Sequence, residues 1–163
     1  MLLSARAQAL LALLLEERQP MTASLKPINQ QVIVITGASS GIGLATALEA
    51  AGRGAKLVLA ARSGQTLEKV VADITSAGGE AVAVTADVSS YADLERVAQV
   101  AIERFGRIDT WINNAAVGIY GRLDEISEAD SRRLFDINFW GVVNGSRIAL
   151  PLLRATGGAL INL

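Results

Sequence analysis

The chain has 163 residues, 15 of them basic and 16 acidic for a net charge of −1, and it contains neither histidine nor cysteine. That length suits one domain with a sizeable core, and balanced charge without blocks of one sign excludes the basic footprint of a nucleic-acid binder. Without histidine or cysteine there are no disulfides and no zinc or haem site of the usual kind, and no acidic loop gathers to hold another metal.

Residues 1–26 read as an N-terminal extension. Its apolar run, Ala9-Leu10-Leu11-Ala12-Leu13-Leu14-Leu15, follows Arg6 and precedes Glu16-Glu17-Arg18. The run is far shorter than the ~20 residues of a membrane-spanning helix. Gln8 interrupts the apolar stretch and no good small-residue cleavage site follows, so a short helical segment is preferred to a signal peptide. Met21 offers a second plausible start just ahead of the domain that fills residues 27–163.

That domain opens on Val32-Ile33-Val34-Ile35-Thr36-Gly37-Ala38-Ser39-Ser40-Gly41-Ile42-Gly43. The apolar, β-branched run reads as a strand buried on both faces of a parallel sheet, and residues 44–51 read as a helix. Between them lies a tight glycine turn. Gly37 turns the chain where a Cβ would clash, Gly41 lets the backbone approach an anion, and Gly43 lets the helix come close to the strand. The free N–H groups and the positive end of the helix dipole then face that anion, most simply a pyrophosphate. A Walker A loop would need Gly-Lys-Ser/Thr, but Leu44 follows Gly43. Gly37-Ala38-Ser39-Ser40-Gly41 does match the Gly-x-Ser-x-Gly nucleophile elbow, yet a chain without histidine cannot assemble the usual triad. A purely structural turn is the remaining rival.

Gly52-Arg53-Gly54 ends the helix, and residues 56–61 form a second apolar strand with Arg62 at its carboxyl end. In dinucleotide folds an acid at this position binds the free 2′-hydroxyl of NAD. Here an arginine stands instead, and its planar fork suits a 2′-phosphate, so NADP is preferred to NAD. Residues 65–77 carry Leu67, Val70, Val71 and Ile74 at helical spacing and end at Gly78-Gly79. A third strand over 80–86 closes on Asp87-Val88, and Ser89 or Ser90 caps a helix running to about residue 105. Residues 107–112 make a fourth strand that closes on Asn113-Asn114-Ala115-Ala116.

Strands alternating with helices predict a parallel, doubly wound Rossmann-type α/β sheet, and right-handed crossovers give strand order 3-2-1-4-5. In that order the glycine turn and residues 113–116 flank the topological switch point, where open α/β sheets bind ligands. Ser127-Glu128-Ala129-Asp130 resembles a capping box, and a single long helix is expected from there to about residue 154. Its half over 137–153 is more apolar than one sheet face needs; it meets either another subunit of a homo-oligomer or ordinary core. Residues 157–163 begin a fifth strand.

These residues resemble the short-chain dehydrogenase/reductase family. Thr36-Gly37-Ala38-Ser39-Ser40-Gly41-Ile42-Gly43 matches its Thr-Gly-x-x-x-Gly-x-Gly turn, and Asp87-Val88 matches its adenine-contacting acid. Asn113-Asn114-Ala115-Ala116 matches its Asn-Asn-Ala-Gly motif except that Ala116 replaces glycine. The resemblance implies a cofactor set of Gly37, Ser39, Ser40, Gly41, Ile42, Gly43, Arg62, Asp87, Val88, Asn113, Asn114, Ala115 and Ala116. It also puts Asn138 where the family carries a helix asparagine that holds a water in the catalytic proton relay. The implied cofactor is NADP or NAD, and the implied substrates are alcohols, ketones, sugars or steroids.

The resemblance further implies a serine after the fifth strand and a Tyr-x-x-x-Lys pair on the next helix. The tyrosine exchanges a proton with the substrate oxygen, the lysine lowers its pKa and grips the ribose, and the serine orients the substrate. Tyr91 and Tyr120 are followed four residues on by Glu95 and Asp124, and the only lysines are Lys26, Lys56 and Lys69. The expectation is therefore the cofactor-binding portion of a cytoplasmic oxidoreductase, cut short of its catalytic elements and inactive by itself. The alternative is a non-catalytic nucleotide-binding or scaffold protein. An epimerase-like relative ranks lower, because its glycine turn usually has a different spacing.

Overall fold

The computed structural model describes residues 25–163; the helix expected over 1–26 therefore falls, except for its last two residues, outside the described residues. The five strands β1 (Val32–Thr36), β2 (Lys56–Ala61), β3 (Glu80–Thr85), β4 (Thr110–Asn113) and β5 (Ala159–Asn162) form one sheet. Every neighbouring pair is parallel and the order is β3-β2-β1-β4-β5, as the crossover rule requires.

Successive strand residues point to opposite faces, and both faces are covered. Val34, Val58 and Trp111 pack against α3 (Tyr91–Phe105) and α5 (Gly141–Thr156) through Leu94, Val97, Ile148 and Leu153. Ile33, Ile35, Leu57 and Leu59 pack against α1 (Gly41–Gly52) and α2 (Gly64–Ser76) through Ala47, Leu67, Val70 and Ile74. Burial on both sides is why β1 and β2 read as unbroken apolar runs rather than as alternating ones.

The expected single helix after residue 127 is divided. It consists of α4 (Glu128–Phe135), a π-helical stretch (Asp136–Trp140) and α5. Apolar spacing cannot register the extra residue of a wider turn, and such turns gather at functional sites. Asn138 lies within it. The capping box is modified too: Ser127 Oγ accepts from the Asp130 N–H at 3.1 Å, but its hydroxyl then donates to the Asp130 carboxylate at 2.6 Å. The shorter aspartate ends on the hydroxyl, where a glutamate reaches back to the cap backbone. The fourth strand begins at Thr110 rather than 107, because Asp109 is spent on β1: it accepts the Val32 N–H at 2.9 Å and pairs with Arg107.

Candidate functional site

At the carboxyl ends of the strands a crevice of about 400 Å³ opens between the β1 turn and the β4 end. Gly37, Ser39, Ser40, Ile42, Arg62, Asp87, Val88, Asn114, Ala115 and Ala116 line it, together with Ser63, Val117 and Ile137, which the sequence had not marked. Gly37 has φ +68°, and a Cβ there would stand 2.7 Å from Ala115 Cα. Gly41 has φ +54° and nothing within 4 Å of the Cβ position. Gly43 is buried beneath the turn, where a Cβ would lie 2.3 Å from the Gly37 carbonyl oxygen. The helix therefore closes onto the turn itself, as well as toward the strand. Ala116 is exposed, and no non-glycine described residue has positive φ, so alanine fits this position without backbone strain.

Helix capping divides the molecule in two. Ser90 and Ser127 cap α3 and α4 by accepting a backbone N–H on the side chain, whereas Ser40 and Ser63, at the starts of α1 and α2, accept none; the Ser63 hydroxyl pairs instead with that of Thr66 at 2.7 Å. Both of these serines line the crevice. The first N–H groups and dipoles of α1 and α2 are left for an acidic ligand. Arg62 stands exposed at the end of β2, one residue before the α2 cap, and makes no ion pair among the described residues.

The β4 end carries two asparagines with different work. Asn114 Nδ2 donates to the carbonyls of Thr36 (2.9 Å) and Gly37 (3.2 Å), so it fixes the glycine turn. Thr36 Oγ1 donates to Ile112 O and accepts the N–H groups of Asn114 and Ala115, stitching β1 to β4 from beneath. Asn113 points away from the crevice. Its Oδ1 accepts Trp111 Nε1 at 2.8 Å, and its Nδ2 faces Asn162, Ser146 and Val142. Asn138 makes two bonds with the Val117 backbone, accepting its N–H at 2.9 Å and donating to its carbonyl at 2.8 Å. Its carboxamide thus braces the loop after β4.

Asp87 accepts from the Ser89 N–H (2.9 Å) and Ser89 Oγ (2.7 Å) on one oxygen and from Arg133 on the other. Burial pushes its pKa up, but the hydrogen bonds from Ser89 and Arg133 and the guanidinium charge outweigh burial, and the net value falls below 3.8. A depressed carboxylate stabilises the fold above its unfolded pKa and loses that contribution as pH falls through the folded value. Asp87→Asn should therefore melt below the parent at pH 7, and the gap should narrow as pH is taken below about 3.8. Calorimetry at pH 7, 5 and 3 checks this; a constant gap would refute it.

Among the described residues no three Asp, Glu, His or Cys side chains gather as a metal site, and no helix is long and apolar enough to cross a membrane.

A family model described as short chain dehydrogenase matches residues 31–163. The chain belongs to that family. It is 47% identical over 154 residues to the uncharacterized oxidoreductase YxnA of Bacillus subtilis (strain 168), covering 91% of this chain and 43% of that protein. Among solved structures it resembles an alcohol dehydrogenase from the archaeon Thermococcus sibiricus complexed with 5-hydroxy-NADP (37% identity, TM-score 0.78, 81% of this chain and 57% of that one). It also resembles a short-chain dehydrogenase/reductase from Burkholderia phymatum in complex with NAD (36% identity, TM-score 0.81, 85% and 50%). The chain spans about half the length, or less, of the curated relatives it matches first.

Proposed function

We propose that these residues form the nucleotide-binding portion of an NADP(H)-dependent short-chain oxidoreductase acting on an alcohol or carbonyl substrate. The observation that carries this reading is the pair of uncapped helix starts facing one crevice, with Arg62, which makes no ion pair among the described residues, beside the second. Gly41 leaves room where a side chain would obstruct a pyrophosphate, and the α1 N–H groups are positioned to receive it. Arg62 and Ser63 suit the 2′-phosphate, and Asp87 and Val88 the adenine. When bound, NADP(H) would supply or accept the hydride.

Asn114, Ala115 and Ala116 wall the ribose side of the crevice, and Asn138 holds their loop through Val117. The cysteine-free composition supports a cytoplasmic setting. Exposed Phe135, Phe139 and Trp140 support a homo-oligomer built through residues 127–155.

Arg62→Asp tests the cofactor assignment. Removing the fork and adding a negative charge should shift the NADPH:NADH affinity ratio toward NADH by about 100-fold, a change of about 3 kcal/mol at one charge-assisted contact. Fluorescence titration with both nucleotides reads the ratio. An unchanged ratio would remove Arg62 from the 2′ site.

A further inference from the structure

Arg133 sits in the last turn of α4, yet its partners lie 44 and 46 residues earlier in the chain. Within the helix Asp130 stands three residues back, but its carboxylate accepts from Ser127 Oγ and makes no ion pair with Arg133 among the described residues; four residues back stands Ala129, whereas the neighbouring Arg132 has Glu128 there and pairs with it at 2.6 Å. The Arg133 guanidinium instead crosses to the β3 end. One nitrogen donates to Ser89 Oγ at 2.8 Å and the other to Asp87 Oδ2, while Ser89 Oγ passes its own proton toward Asp87 Oδ1 at 2.7 Å. Asp87, Ser89 and Arg133 thus close a ring of hydrogen bonds at the rim of the crevice.

A carboxylate has about four acceptor positions. On Asp87 three are used, two on Oδ1 by Ser89 and one on Oδ2 by Arg133. That leaves capacity for one more donor, on Oδ2, in an orientation the planar fork fixes.

We infer that Arg133 is a positioning residue for base recognition: it holds Asp87 so that a single carboxylate lone pair selects a base with an exocyclic amino group. This rests on the nucleotide reading above. Adenine offers such a donor, whereas hypoxanthine places a carbonyl oxygen at the same position, oxygen against oxygen. A site built around one hydrogen bond rejects the analogue that lacks it.

The test titrates the full chain with NADPH and with its hypoxanthine analogue, following nucleotide fluorescence. The unmodified protein should prefer NADPH by about tenfold or more, the worth of a hydrogen bond to a charged group. In Arg133→Met the preference should shrink to within about threefold as the carboxylate loses its fixed orientation. Arg133→Lys preserves charge and apolar stem, guarding against a variant that does not fold; as a point donor it should hold less than half the preference. Arg132→Met, on the neighbouring exposed arginine, should change nothing.

Undiminished preference in both Arg133 variants overturns the inference. So does equal weakening of both nucleotides, which would make Arg133 a structural tie only. Failure of the unmodified chain to bind NADPH at all would instead refute the proposed function. Binding of both nucleotides alike would remove Asp87 from the adenine edge, and the inference with it.

Discussion

Gly43→Ala is expected to lower the melting temperature by about 10 °C and to abolish measurable NADPH binding, for a loss of about 3 kcal/mol. The added Cβ would stand 2.3 Å from the Gly37 carbonyl oxygen and 2.5 Å from Asn114 Nδ2. Neither neighbour can yield. The carbonyl belongs to the turn, and Asn114 Nδ2 is held by two backbone carbonyls of that same turn. Relief requires moving α1 off the turn, which misplaces the N–H groups that the proposed function assigns to the pyrophosphate.

Gly41→Ala is the contrasting variant. Nothing lies within 4 Å of its Cβ position, so the cost is the left-handed backbone alone at φ +54°. That strain is about 1–2 kcal/mol, or about 5 °C in a domain of this size. Its binding loss should exceed what its stability loss explains, because under the proposed function the methyl group would stand where the pyrophosphate approaches. Thermal melts and NADPH titrations of the pair check the argument. Equal melting temperatures would mean that the Gly43 contact is soft.

What was legible in the sequence was local. Val32 to Thr36 and the strand over 56–61 announced themselves because burial on two faces leaves a strand no polar side. The glycine turn declared itself because φ near +60° and close backbone approach demand glycine. Strand order followed from the handedness of crossovers. The π stretch did not show, because Ile137 and its neighbours satisfy apolar spacing with or without an inserted residue. Arg133 was illegible for a different reason: its partner Asp87 lies 46 residues away, and nothing in a run of charges says which arginine crosses. Asn113 and Asn114 were visible as a pair, but not their division of labour, which depends on what lies behind β4.

That division carries the other large expected effect. Asn113→Ala should lower the melting temperature by about 10 °C, near 3 kcal/mol, as the cost of stranding a buried donor adds to a small cavity. Trp111 is fully buried, and Asn113 Oδ1 is the acceptor for its indole N–H. Nδ2 meanwhile joins β4 to Asn162 on β5 and to α5 through Ser146. Packing admits no substitute, since Gly145 approaches so closely that a Cβ there would lie 2.3 Å from Oδ1.

In the folded fraction, measured at low temperature, NADPH affinity should stay within about threefold of the parent, because the carboxamide does not face the crevice. A side chain that touched the nucleotide would give the reverse: an affinity loss of about 30-fold or more with a small change in melting temperature, as for a lost hydrogen bond at a binding site. Asn114→Ala offers the comparison within the same motif. Its loss frees the glycine turn, so affinity should fall before stability does. If Asn113→Ala binds poorly while melting normally, the asparagine belongs to the nucleotide site after all, and the wall behind β4 is held by packing alone.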